Sequence, residues 1–263
     1  MKLKVYVSTN VGNCRGNNED NFFAGEGYSN PDAENDKTVF FETDSSEAKI
    51  FSVCDGMGGE SCGEVASGCA VRVLSDYSEE IKKAGSIDEQ KKCVRKFATD
   101  ANNQIVDEII KAGGLRGGTT LTLACVLEDK ISMYYLGDSR IYMLRDGILT
   151  RVTRDHTVAY EKVDANIYTE EEAQKSSDAH KLTMFLGVDD EKIGLNAEYA
   201  GTYTLSPGDF YLLCSDGLTD MCTDKEISDV MDLECQNFAK ELVFTALMNG
   251  GEDNVTCLVI EVC

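Results

Sequence analysis

The sequence predicts an α+β fold, a four-layer α-β-β-α sandwich of two mainly antiparallel sheets flanked by helices. Three observations lead there. Short apolar runs of strand length recur through the chain, many of them separated by turn-forming residues. Two long amphipathic segments stand between the early and the middle strands. Strands linked by hairpins and accompanied by such helices bury their apolar faces when two sheets pack face to face and helices cover the outsides.

Taken in order, Leu3–Thr9 alternates with strand period, and Asn21-Phe22-Phe23 begins a second strand. From Gly25 to Ala48 the composition turns polar and acidic around Asn30-Pro31-Asp32, which reads as a surface loop or extended hairpin. Ile50–Cys54 is a short apolar run. Glu60–Lys83 and Ile87–Ala112 read as two helices joined at Ala84-Gly85-Ser86. In the second, Val94, Phe97, Ala98, Ala101, Ile105 and Ile109 recur at the spacing of one helical face. Ser86 and Gln90 are candidates to cap its start, and Gly113-Gly114 to end it.

Thr119–Leu127, Ile131–Leu136 and Ile141–Leu144 follow in quick succession, broken by Glu128-Asp129-Lys130 and Gly137-Asp138-Ser139-Arg140. They suggest an antiparallel meander, and Asp146-Gly147 is a further hairpin signal. Between Thr153 and Asp190 strand patterning disappears, leaving one short helical candidate at Thr169–Lys175. Tyr199–Leu205 and Phe210–Cys214 read as a hairpin about Ser206-Pro207-Gly208. Cys235–Met248 reads as a helix and Val255–Val262 as the last strand. No internal repeat or low-complexity tract is visible.

Composition bounds the function. At 263 residues with 42% apolar side chains, the chain is long enough for one substantial domain with a sizeable core. No stretch approaches a membrane span, and Met1-Lys2-Leu3-Lys4-Val5 alternates like a strand instead of opening a signal peptide. The 11 cysteines are odd in number, and Cys54, Cys125, Cys214 and Cys257 lie inside apolar runs. Reduced, buried thiols in a cytoplasmic protein fit that pattern better than disulfides. No Cys-x-x-Cys pair occurs and there are 2 histidines, which argues against structural zinc. The net charge of −22 argues against nucleic acid or an anionic membrane as partner. It would also repel an anionic phosphoprotein at long range, so local positive charge has to come from metal ions and a few basic side chains.

Four acidic clusters, far apart in the chain, sit where strands meet turns. They are Asn18-Glu19-Asp20, Asp55-Gly56-Met57-Gly58-Gly59, Ser215-Asp216-Gly217 and Glu252-Asp253-Asn254. A carboxylate at a strand end, with glycine freeing the backbone beside it, is a common way to hold a hard cation. One Asp-Gly pair alone marks a turn and nothing more. Four together, with their flanking residues, point to a shared metal site.

Those flanking residues carry a resemblance. Arg15-Gly16-Asn17-Asn18-Glu19-Asp20, Asp55-Gly56-Met57-Gly58-Gly59 and Gly63-Glu64-Val65-Ala66-Ser67 come first. Gly118-Thr119-Thr120, Gly137-Asp138-Ser139-Arg140, Ser215-Asp216-Gly217-Leu218 and Asp253-Asn254-Val255-Thr256 follow. In this order, and nearly from end to end, the chain resembles the metal-dependent serine/threonine protein phosphatases of the PPM (protein phosphatase 2C) class in their bacterial single-domain form. The resemblance implies one domain over residues 1–263 with the same sandwich, and a cleft at one edge where the loops bearing Asp55, Asp216 and Asp253 converge.

It also implies the chemistry. Hydrolysis of a phosphate monoester is extremely slow in water, and a pair of divalent cations about 3.5–4 Å apart both activates a bridging water and neutralises the anion. By resemblance, Asp55 bridges two ions, the Gly56 carbonyl ligates one, and Asp216 and Asp253 ligate the other. Asp20 and Glu19 act through bound water, and Arg15 grips the substrate phosphate. Oxygen ligands suit Mn²⁺ or Mg²⁺. The implied substrates are phosphoserine and phosphothreonine proteins of serine/threonine kinases, acted on by a cytoplasmic monomer.

Two departures matter. Many bacterial members carry an aspartate before Gly-Thr-Thr that helps hold a third ion, and Lys111–Gly117 contains no carboxylate. A third ion is therefore not expected to be held firmly, and Asp138 is read as structural. Animal members carry a histidine after the Asp-Gly, where Met57 stands here, so a metal-bound water is the implied acid. Thr153–Asp190 corresponds to the mobile flap of bacterial members, with His156 as a packing or hinge residue. A variable surface excursion is the alternative for that segment.

Three rival readings remain. Gly137-Asp138-Ser139 is similar to the nucleophile block of GDSL esterases, which need a histidine near the C-terminus; none follows His180. A catalytically silent regulatory domain usually loses metal aspartates, and the core ones are present. A phosphatase dedicated to one regulator, such as an anti-sigma-factor antagonist, is compatible with the sequence.

Overall fold

The structure is a computed structural model that describes residues 1–25, 28–29 (backbone only), 35–58, 62–114, 116–188, 196–233 and 235–263. The first elements are β1 (Lys2–Asn10), β2 (Asn21–Ala24), β3 (Tyr28–Ser29), β4 (Asp36–Asp44), β5 (Lys49–Cys54) and β6 (Gly56–Met57). Two helices follow, α1 (Cys62–Lys82) and α2 (Ile87–Lys111). Then come β7 (Gly118–Thr119), β8 (Leu121–Leu127), β9 (Lys130–Leu136), β10 (Arg140–Arg145) and β11 (Ile148–Arg151). The last part holds α3 (Val158–Asp164), α4 (Glu170–Gln174), β12 (Glu198–Thr204), β13 (Phe210–Cys214), α5 (Asp216–Thr219), α6 (Asp224–Met231), α7 (Phe238–Met248) and β14 (Val255–Val262).

Two six-stranded antiparallel sheets form the middle layers, ordered β11-β10-β13-β14-β1-β4 and β12-β9-β8-β5-β2-β3. Their facing sides share one core, with Val5, Val7, Phe22, Phe51, Leu213, Leu258 and Ile260 all buried. Helices α1 and α2 cover the second sheet over Leu74, Phe97, Leu123 and Tyr134. On the other outer face, α5, α6 and α7 cover the first sheet over Tyr142, Leu212, Leu242 and Val259. This is the expected four-layer sandwich. Strand alternation explains the continuous apolar runs: in β13, Tyr211 and Leu213 face the inter-sheet core while Leu212 and Cys214 face the helices. The cysteines follow the same logic, since all 11 are free thiols and Cys54, Cys125, Cys214 and Cys257 are buried.

Local chemistry sets the boundaries. Ser86 accepts from the Glu89 amide and caps α2, and Gly113 turns the chain at φ +81 after its last turn. Gln90 does not help cap; it is buried and accepts from the Tyr134 hydroxyl at 2.9 Å. Asp146 and Gly147, at φ 52 and 73, make the two-residue turn between β10 and β11. Thr169 and Glu172 form a reciprocal capping box that starts α4 where a short helix was expected.

Four expectations need correction. The supposed meander splits: β8 and β9 pair, but Gly137–Arg140 carries the chain across to the other sheet, where β10 pairs with β11 and β13. Likewise β12 pairs with β9 and β13 with β10 and β14, so Ser206-Pro207-Gly208 joins two sheets instead of closing a hairpin. A turn that closes a hairpin and one that crosses between packed sheets use the same residues, so sequence alone does not separate them. Thirdly, residues 36–44, read within a surface loop or extended hairpin, form an edge strand: β4 pairs along the whole of β1. Its alternating exposure escapes notice because its residues are mainly charged and polar. The expected turn at 30–32 and Glu60 lie outside the described residues. Finally, α3, α5 and α6 went unread because 4 to 8 residues are too few to show a helical period.

The crossing at Ser206–Asp209 rests on one buried carboxylate. Asp209 receives Arg145 Nε at 2.8 Å and Nη2 at 2.6 Å, the Ser206 amide at 2.8 Å and the Tyr211 hydroxyl at 3.2 Å. Burial alone would push its carboxyl up, but these donors hold it below the usual aspartate range. Asp209→Asn should therefore destabilise the protein by about 1–3 kcal/mol at neutral pH. A depressed pKa gives stability that is present above the unfolded value near 4 and is lost as pH falls through the folded one. The gap between wild type and variant in urea melts should accordingly shrink below about pH 4. A gap independent of pH would contradict this role.

Candidate metal centre

Each predicted ligand sits where a strand of one sheet ends beside a strand of the other. Glu19 and Asp20 close the loop before β2, and Asp55 follows β5, both in one sheet. Asp216 follows β13 and Asp253 precedes β14, both in the other. Packing the sheets face to face brings these ends together around a cavity of about 450 Å³. Arg15, Glu19, Asp55, Gly56, Asp216 and Asp253 all line it. Asp20 lies beneath, fully buried.

A web of small hydroxyl side chains, most of them missed as functional residues, fixes these carboxylates. Ser215 Oγ and Thr256 Oγ1 donate to Asp20 Oδ2 at 2.8 and 2.7 Å. Thr9 Oγ1 lies 2.7 Å from Thr256 Oγ1 and accepts from Asn18 Nδ2 at 2.8 Å. Asp55 is held through its backbone: its amide donates to Thr120 Oγ1 at 3.0 Å, and its carbonyl accepts from Thr119 Oγ1 at 2.9 Å. Thr120 in turn meets Ser139 Oγ at 2.7 Å. Asn254 accepts from the Glu19 amide and donates to the carbonyls of Val11 and Asn17, pinning the loop of residues 11–19. The motifs Gly-Thr-Thr, Gly-Asp-Ser and Asp-Asn-Val-Thr thus support the carboxylates. Ser139 is fully buried in this web, which removes it as an esterase nucleophile.

Two glycines permit the approach. A Cβ at Gly63 would lie 2.4 Å from Glu19 Oε2, and one at Gly217 would lie 2.0 Å from the Asn254 carbonyl. Ser67 Oγ, one turn beyond Gly63, donates to the Glu19 carbonyl at 2.6 Å. Helix α1 thereby holds the acidic loop against the β6 strand.

The electrostatics show what the site wants. Burial pushes the Asp20 carboxyl up to about 7, with Asp216 and Asp253 adding to the rise against the pull of Thr256 and Ser215. Burial also raises Asp55 well above its ordinary value, helped by Asp216, Asp20 and Asp138. Glu19 and Asp253 are raised for the same first reason. Asp20 Oδ1 is buried without a hydrogen-bonding partner. Buried carboxylates crowded this way either take up protons or take up cations. An all-oxygen donor set with one orphaned oxygen suits Mn²⁺ or Mg²⁺.

Three residues depart from their expected places. Arg15 reaches the site, but its Nη2 lies on Asp253 Oδ2 at 2.5 Å. Asp138, read as structural, lines the cavity, and burial with Asp216 raises its carboxyl well above the ordinary range. His180 lines it too, with Nδ1 at 3.6 Å from Asp220 and 3.9 Å from Asp216. The neighbouring carboxylates of Asp216 and Asp220 lift its pKa to about 9. His180, Asp216 and Asp220 bring donor atoms within 4.8 Å of one another. His180 carries no motif, so only the fold could place it. His156 is instead a packing residue, stacked on Tyr135 with ring centroids 4.8 Å apart and accepting from the Gly137 amide at 3.1 Å.

With this geometry in view, the relatives of the chain are informative. The family model described as Protein phosphatase 2C matches residues 28–253. The serine/threonine protein phosphatase PstP of Mycobacterium tuberculosis is 31% identical over the whole of this chain, which spans 45% of that relative's length. The serine/threonine phosphatase stp of Listeria welshimeri is 35% identical over 215 residues, 81% of this chain and 84% of its own. A crystal structure of the PstP catalytic domain in complex with 2 manganese ions superposes with a TM-score of 0.76 at 30% identity, covering 100% of both chains. The chain belongs to the protein phosphatase 2C family.

Proposed function

We propose that residues 1–263 act as one protein-serine/threonine phosphatase domain, which removes phosphate from phosphoserine and phosphothreonine with two Mn²⁺ or Mg²⁺ ions. The observation that supports this reading best is the meeting of Asp55, Asp216 and Asp253 over the orphaned Asp20 oxygen. Asp55 and the Gly56 carbonyl would hold one ion; Asp55, Asp216 and Asp253 would hold the other. When bound, such ions supply an activated water and neutralise the phosphate. Asp20 and Glu19 orient that water from below, held by Ser215, Thr256 and Asn254. Arg15, whose guanidinium lies on Asp253 at the mouth of the site, would take the phosphate oxygens.

No helix among the described residues is long and apolar enough to cross a membrane. The buried free thiols suit a reducing, cytoplasmic setting, and similarity to proteins named serine/threonine phosphatases suits a role in reversing kinase action. A phosphatase serving one dedicated regulator is the narrower form of the same reading.

Chelation with EDTA should abolish hydrolysis of p-nitrophenyl phosphate, and Mn²⁺ should restore it. Asp55→Asn should be the most damaging single change, because one side chain serves both ions. Full activity in that variant would contradict the assignment.

Arg15→Ala should lower kcat/KM by about one to two decades, the equivalent of about 1.5–3 kcal/mol for a lost charged hydrogen bond. Calorimetric titration should show Mn²⁺ affinity nearly unchanged. A large loss of metal affinity would mean that Arg15 acts by positioning Asp253.

The last expectation concerns the third ion. Lys111–Gly117 offers no carboxylate, which leaves His180, Asp216 and Asp220 as the donors. Mn²⁺ titration should therefore find two firm sites and at most one weak one. Activity should be good on p-nitrophenyl phosphate and comparatively poor on phosphopeptides, whose alkoxide leaving group needs protonation. Three sites of equal affinity would overturn this.

A further inference from the structure

A second cavity of about 700 Å³ continues from the metal centre and runs between α4 and the start of α6. The two share six lining residues, among them Asp138, Asp216 and Glu252, so they form one continuous cleft. A phosphorylated residue seated at the metal centre must lead its neighbours out across adjoining surface, and this groove is such an exit.

Its charge is lopsided. Each basic side chain lining it already sits on a carboxylate: Arg140 on Asp155, Lys225 on Asp229, and His180 on Asp216 and Asp220. Asp224 and Glu252 are exposed there with no ion pair among the described residues; Asp224 accepts only the Tyr142 hydroxyl, at 3.0 Å. A separate observation comes from Asp138, 8% exposed and facing the junction of the two cavities. Apart from its own backbone amide, its carboxylate has no hydrogen-bond or ion-pair partner among the described residues. A carboxylate so placed takes a cation. Two metal ions would neutralise the inner aspartates but leave the outer groove acidic.

Resting on the phosphatase reading above, we propose that this groove receives lysine or arginine side chains flanking the phosphorylated residue, so that the preferred substrates are basic phosphoprotein segments. The net charge of −22 argues the same way, because an acidic phosphoprotein would be repelled before it reached the metal centre. Basic flanks turn that repulsion into attraction and give the substrate its register along the cleft.

The test compares two phosphothreonine peptides of identical core, one with arginines and one with glutamates on both sides. With Mn²⁺ present, kcat/KM should favour the basic peptide by tenfold or more at low salt. The ratio should collapse several-fold in 0.5 M salt, where exposed charges are screened. The variant Asp224→Asn, which lies outside the metal-centre cavity, should reduce the low-salt ratio about twofold or more while leaving p-nitrophenyl phosphate hydrolysis unchanged. Non-hydrolysable phosphonate versions of both peptides, followed by fluorescence anisotropy, should give the same order of affinity whether or not the protein turns over. A ratio below twofold in both assays, or one that Asp224→Asn does not alter, overturns the proposal. Failure to hydrolyse p-nitrophenyl phosphate with any divalent ion counts instead against the phosphatase reading, and the anisotropy result still decides the groove.

Discussion

The structure depends on a concentration of buried and half-buried negative charge that the polypeptide does not neutralise by itself. Asp20, Asp55, Asp138, Asp216 and Asp253 gather at one end of two packed sheets. Among the described residues, the guanidinium of Arg15 and the imidazole of His180 are the basic groups lining that cavity. In a low-dielectric cleft, like charges this close cannot all remain ionised without cations. Folding places them there regardless, because strands β2, β5, β13 and β14 are drawn together by their apolar faces and carry the carboxylates on their ends. The hydrophobic core therefore does the work of assembling the repulsive cluster.

That division of labour explains the polar residues behind the site. Thr9, Thr120, Ser139, Ser215 and Thr256 are buried, and each spends its hydroxyl on a ligand, on a ligand's backbone or on another member of the web. Satisfied buried hydroxyls hold geometry at little cost, whereas unsatisfied ones would be expensive. Asp20 Oδ1 and Asn21 Oδ1 are buried oxygens without a partner among the described residues. The first belongs to a carboxylate crowded by Asp216 and Asp253, where a cation is the partner that would satisfy it.

Much of this was legible in the sequence. Apolar runs at Ile50–Cys54, Phe210–Cys214 and Val255–Val262 gave the strands, and the acidic clusters at their ends are the carboxylates that the structure brings together. The limit was the assignment of strands to sheets. Gly137–Arg140 and Ser206–Asp209 look like hairpin turns, yet both carry the chain from one sheet to the other. The first of these crossings is also why Asp138 belongs to the site and not merely to a turn. His180 and Asp220 were invisible for a different reason. Their proximity depends on how residues 153–188 fold back over α5, and no local pattern records that packing. Arg15 lines the cavity, and its contact with Asp253 follows from side-chain geometry that no motif encodes.

The central claim is that the carboxylate cluster exists to bind a pair of divalent cations. Crystals soaked in Mn²⁺ and measured at a wavelength giving anomalous signal from manganese test it most directly. The account predicts two adjacent peaks, one against Asp55 and the Gly56 carbonyl and the other against Asp55, Asp216 and Asp253. No anomalous peak at these residues, or ions bound only at surface carboxylates, would contradict it.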